Sequence, residues 1–175
     1  MDDAKAVNIR TVLKPPTDLK ASNVKAIAVA VNGLIADAFA LYVKTKNFHW
    51  HLSGPNFRDF HLMLDEQADQ IFASIDPMAE RIRKLGGSTL KSISHISKLQ
   101  SLEDNNEDFV GPLEMLKELT DDNKKMAEAM RNVHDICDDN DDYATASLLE
   151  VFIDETERRL WFLFETSQGG EVHTR

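Results

Sequence analysis

With 175 residues, 42% of them hydrophobic, the chain can bury one sizeable core and is too short to suggest two ordinary domains. A net charge of -10 argues against a surface that is basic all over. Cys137, the single cysteine, excludes an intramolecular disulfide framework and fits a reducing cytosol. No uninterrupted apolar run near about 18 residues and no basic-then-apolar leader is visible, so the expectation is a soluble cytoplasmic protein without membrane contact.

Seven glycines and five prolines are few, and Ala, Leu, Ile, Met, Glu, Lys and Asp recur at helical spacing, which favours an all-α class. Residues 1–22, with Pro15 and Pro16, read as a flexible tail. A first helix then starts from a cap at Ser22 or Asn23 and runs to about Trp50, with Val24, Ile27, Val31, Leu34, Ala38 and Leu41 on one face. Ser53 to Asn56, SGPN, is a turn by composition. Phe60, Leu64, Ala68, Ile71, Ile75, Met78, Ile82 and Leu85 form a second seam that ends at Gly86 and Gly87. Between Gly86 and Gly111 the segment KSISHISKL predicts a short helix. Leu113, Leu116, Leu119, Asn123, Met126, Met130, Val133 and Cys137 mark a third long helix. Ala146, Leu149, Phe152, Thr156, Leu160 and Leu163 mark a fourth, and residues 168–175 read as a second tail. Short links make the first and second helices, and the third and fourth, antiparallel neighbours. One long crossover in the middle is the topology of a ferritin-like four-helix bundle, here spanning 23–167 with a short extra helix in the crossover.

On the second helix, His61, Asp65, Asp76 and Glu80 fall at about 0°, 40°, 60° and 100° around the axis and share one face. Imidazole with carboxylates is a ligand set for iron, zinc or manganese, and open positions on iron permit redox chemistry. The two pairs lie about 22 Å apart along the axis, so they cannot serve one metal cluster within a single chain. If they serve one site, two chains must build it, with the second helix antiparallel to its copy about a two-fold axis. The bland alternative is that Asp76 and Pro77 restart a helix as N-cap and first residue, with Glu80 a favourable charge in its first turn. His49 and His51 lie about 200° apart on a helix, so at most one faces the site, and Trp50 is by default a packing residue.

The segments HWHLSG, FHLMLDEQ and IDPMAERIRKLGG, between Lys46 and Gly87, resemble the core of the Dps family, the DNA-protecting mini-ferritins of starved cells. The resemblance implies a homododecameric shell that oxidises Fe(II), preferably with hydrogen peroxide, and stores Fe(III) mineral. It places His49, His61 and Asp65 of one subunit with Asp76 and Glu80 of its two-fold mate around one or two irons. Trp50 would sit beside the iron, able to take a stray oxidising equivalent. The chain departs from the family at Leu62, where some relatives carry an acid, and at Thr89, for which no consequence is expected. The Glu-x-x-His motif of larger di-iron bundles is absent.

HDICDDNDD, residues 134–142, gathers Asp135, Asp138, Asp139, Asp141 and Asp142 at the junction of the third and fourth helices. Asp141 and Asp142 suit a helix start. Asp135, Asp138 and Asp139 stand at the negative end of the third helix, where each costs about 0.3 to 1 kcal/mol, and this invites a functional explanation. The family resemblance supplies one, an acidic three-fold pore that admits Fe(II). The rival reading is a structural protein of the bacterial nucleoid with secondary iron chemistry. Against it, Lys5, Arg10, Lys14 and Lys20 in the N-terminal tail are nearly offset by Asp2, Asp3 and Asp18, so DNA binding is expected to be weak or absent.

Overall fold

The computed structural model describes residues 15–168. These form five helices and no strand: α1 Ala21–His51, α2 Phe57–Lys84, α3 Ile93–Leu99, α4 Pro112–Asp139 and α5 Tyr143–Ser167. Most of both expected tails lies outside the described residues. The helix begins two residues before the expected boundary, and neither Ser22 nor Asn23 caps it. Lys20 holds the cap position without a side-chain bond, and Ser22 donates instead to the Asn23 side chain at 3.1 Å.

Two antiparallel hairpins, α1 with α2 and α4 with α5, pack so that α1 faces α4 and α2 faces α5. The four apolar seams meet in one core that contains Ile27, Val31, Leu34, Leu41, Leu64, Ile71, Met78, Leu116, Leu119, Met126 and Leu149. Leu113, expected on the third seam, is exposed, because Met115 and Leu116 turn inward at the start of α4. Cys137 is buried, and burial pushes its thiol up to about 12, which makes it an inert packing group.

The helix ends follow from local chemistry. At the end of α2, Gly86 has φ +85°, Gly86 N–H donates to the Arg83 carbonyl at 3.0 Å, and Gly87 N–H donates to the Ile82 carbonyl at 2.9 Å. This is the Schellman arrangement. A Cβ on Gly87 would meet Ile82 Cγ2 at 2.8 Å, so the second glycine is needed for close approach. The long crossover is pinned to α1 by Asp37, which accepts from Ser101 N–H at 2.5 Å, Ser101 Oγ at 2.7 Å and Leu102 N–H at 3.0 Å. Thr89 also has a role, contrary to expectation: its hydroxyl donates to Asn32 Oδ1 at 3.0 Å, tying the start of the crossover to α1.

By length and composition alone α1 contains a window apolar enough to cross a membrane, although Asp37 and other polar residues interrupt any continuous run, and half of that window is buried inside the bundle. The reason for its hydropathy is its central position, facing α2, α3 and α4. Buried Lys44 on this helix meets Asp122 at 2.7 Å and Glu118 at 2.8 Å. Burial opposes its charge, but these hydrogen bonds and attractions outweigh it and raise the Lys44 pKa.

Lys44→Met is expected to lower stability to urea by about 3 to 5 kcal/mol, because Asp122 stays buried with its main partner gone. The double variant Lys44→Met/Asp122→Leu should recover most of that loss. A single variant within about 1 kcal/mol of the parent chain would contradict a structural role for this pair.

Candidate metal centre

The SGPN turn brings the end of α1 against the start of α2. Gly54 takes φ +108°, and Phe57 N–H donates to the Gly54 carbonyl at 3.1 Å. Across this turn His49 Nδ1 lies 2.8 Å from the His61 carbonyl, and His61 Nδ1 lies 3.0 Å from the His49 carbonyl. A carbonyl oxygen can only accept, so both rings carry their proton on Nδ1 and a lone pair on Nε2 when neutral. The rings stack at 3.7 Å with a 17° interplanar angle, and Phe57 stacks on His61 at 5.0 Å. A second ring nitrogen donating to a backbone carbonyl is the usual support for a metal-binding imidazole.

Asp65 lies one turn beyond His61, with Oδ1 3.8 Å from His49 Nε2. Its carboxylate forms an ion pair with Lys46, and that hydrogen bond, aided by the charge, holds the Asp65 carboxyl below the usual carboxylate range. Lys46 is correspondingly raised by the same bond. Sequence reasoning missed Lys46, although its position three residues before His49 puts both on one face of α1.

The remaining expected ligands lie elsewhere. Asp76 and Glu80 are exposed farther along α2, and Glu80 pairs with Lys84 at 3.1 Å. Helix α2 runs unbroken through Pro77, so Asp76 does not cap a new helix. Among the described residues no three His, Cys, Asp or Glu side chains gather closely enough to hold a metal ion. His51 turns away, its Nδ1 donating to the Asn47 carbonyl at 2.8 Å. Trp50, 65% exposed, lines an open recess with Asn47, His51, Asp104 and Glu107. Leu62 is exposed beside the histidine.

The acidic junction divides in two. Asp142, 3% exposed, is the N-cap of α5: it accepts from Thr145 N–H at 3.2 Å and from the Thr145 hydroxyl, and it pairs with Arg81 at 2.6 Å. Asp141 forms the left-handed link between the helices, with φ +64°. Asp135, Asp138 and Asp139 remain exposed at the end of α4, and His134 lies 3.4 Å from both Asp135 and Glu150.

Residues 29–168 match the family model described as a ferritin-like domain. The DNA protection during starvation protein of Brevibacillus brevis is 30% identical over 145 residues, covering 83% of this chain and 97% of that one. The chain belongs to the Dps family. An uncharacterized low temperature-induced protein of Nostoc is 37% identical over 78 residues, and that match spans 45% of this chain and only 44% of the relative. The Dps fold is matched in solved structures as well. The Dps from Bacillus brevis gives a TM-score of 0.80 at 29% identity, covering 85% of this chain and 99% of that one. The Dps-homologue from Halobacterium salinarum gives 0.84 at 26%, covering 90% and 88%.

Because Asp65 has a depressed pKa in the folded chain, the contribution of its pairing is present above the unfolded pKa and is lost as pH falls through the folded one. Lys46→Met is therefore expected to move the Asp65 carboxyl titration, followed by carbon-detected NMR, upward toward the ordinary range. An unmoved titration would contradict the assigned cause.

Proposed function

We propose that this Dps-family chain is the subunit of a cytoplasmic ferroxidase and iron-storage shell, a homododecamer whose oxidation sites are shared between two-fold mates. The observation that carries this reading is the reciprocal imidazole pairing, which leaves Nε2 of His49 and of His61 as preset lone-pair donors beside the ionised Asp65. Among the described residues of one chain, no further carboxylate or imidazole closes these groups into a complete site. In the proposal, Asp76 and Glu80 of the mate complete it, since they are exposed on the same helix about 22 Å from His61 and Asp65. Fe(II) arriving at Asp65 displaces Lys46, exchanging a monovalent partner for a divalent one.

The chemistry balances as two Fe(II) ions, each losing one electron, against one hydrogen peroxide that gains two electrons and two protons to give two waters. The Fe(III) is then stored as mineral. One or two irons per site, and a role for Trp50 in taking a stray oxidising equivalent, belong to the same proposal. DNA is protected by removal of Fe(II) and peroxide, with no stable DNA complex required; association with a nucleoid is the alternative.

Asp65→Ala and Glu80→Ala shells are each expected to oxidise Fe(II) slowly with peroxide. Mixed shells should recover activity, because a pair of the two variants places both lesions in one site and leaves the other intact. No recovery after confirmed mixing would contradict a shared site.

Of the acidic junction, Asp135, Asp138 and Asp139 are the proposed field around an iron-entry pore, with Asp141 adding charge and Asp142 committed to its cap. Changing the first three together to Asn should slow iron uptake more at low ionic strength than at high, since salt already screens the field. Equal slowing at every salt concentration would contradict that role.

A further inference from the structure

The α2–α5 seam contains a buried charge that the metal centre does not use and that has no carboxylate partner among the described residues. Arg159 on α5 is 5% exposed. Its Nε donates to Asn123 Oδ1 at 3.1 Å and Nη2 donates to Thr156 Oγ1 at 2.7 Å. Both acceptors are neutral. The guanidinium makes no ion pair with a carboxylate among the described residues, although Glu155 on the same helix attracts it at longer range. Withdrawal from water without a counter-ion pushes its pKa down to about 10.

A guanidinium has five N–H donors, and these two bonds leave Nη1 unused. Every fully buried side-chain nitrogen or oxygen among the described residues has a hydrogen-bond partner. Nη1, with none, is therefore not fully buried, and Arg159 is one of the residues that line a recess of about 40 Å³ between α2 and α5. Gln67, Gln70 and Arg158 also line it. Gln67 is buried and donates to the Arg159 backbone carbonyl at 3.4 Å, which fixes its side chain across the seam. Arg158 lies over the Phe162 ring at 5.5 Å and forms no carboxylate ion pair among the described residues, so a second cation stands at the rim. Glu66, on the same rim, is the one opposing charge in the lining.

We propose that this recess binds one small inorganic oxyanion, of the phosphate class, between Arg159 and Arg158. The volume suits it: at about 10 to 15 Å³ per water, the recess holds about three waters, which one tetrahedral anion can replace with its outer oxygens toward solvent. Guanidinium groups suit this ligand because their planar N–H pairs match two oxyanion oxygens at once. An anion held here would be available to Fe(III) as it precipitates, a link that rests on the storage reading, whereas the binding itself does not.

Isothermal titration of the iron-free, full-length protein with inorganic phosphate in 150 mM potassium chloride tests the site apart from any iron chemistry. The expected result is saturable binding of about one phosphate per chain, weakened at least tenfold by Arg159→Gln and by Arg158→Gln, with phosphate raising the thermal midpoint of the parent protein. Arg159→Gln also loses bonds to Asn123 and Thr156; if it does not fold, the surface variant Arg158→Gln and the thermal shift decide. No saturable binding by the parent protein, or binding unchanged in Arg158→Gln, would overturn the proposal.

Discussion

The imidazoles of His49 and His61 each donate to the other's backbone carbonyl, and the end of α1 and the start of α2 are organised around that exchange. A single pair of bonds closes the helical hairpin, sets both ring orientations and fixes both neutral tautomers. The ring stack and the Phe57 cover then leave little rotational freedom for either side chain. In the proposed site, coordination would need little reorganisation, because the fold already sets the lone pairs. The same hairpin keeps Asp65 and Lys46 within reach of the imidazoles, so in the proposed site an internal cation occupies Asp65 until a divalent metal displaces it.

A different kind of order holds the bundle in register. Lys44 with Asp122 and Glu118 joins α1 to α4, Arg159 with Asn123 joins α5 to α4, and Arg81 with Asp142 joins α2 to the start of α5. Each places a polar group at a point where apolar side chains alone would allow one helix to slide along another. Buried ion pairs add little net stability over an apolar replacement, whereas losing one partner leaves the other costly to bury. The Arg81 contact also explains why Asp142 is lost to any pore: the carboxylate that starts α5 is the one that anchors α2.

The sequence was most informative where one period governed a long stretch. The α2 seam from Phe60 to Leu85 is buried at every named position, because a helix packed on two neighbours must keep one face apolar along its length. Chain order and link lengths were enough for the ferritin-like topology. Legibility failed at the ends and at single contacts. Leu113 fits the period yet is exposed, since Met115 and Leu116 take the inward positions at the start of α4. Asp37, Lys46, Thr89 and Arg159 carry no signature of their own, because their roles depend on partners 19 to 65 residues away. For the proposed site, spacing alone puts His61, Asp65, Asp76 and Glu80 on one face of α2. The pairing of His49 with His61 depends on a turn geometry that residue spacing does not encode.

The central claim is that one metal site is built from two chains. Crystals of the assembled protein soaked with Zn(II), a redox-inert substitute for Fe(II), can be measured by anomalous scattering at the zinc edge. The account requires a peak bounded by Nε2 of His49 and of His61 from one chain, with the carboxylates of Asp76 and Glu80 from another chain on its far side. A fully occupied zinc whose protein ligands all come from one chain, or a vacant imidazole pair beside zinc bound at Asp76 and Glu80 alone, would contradict it.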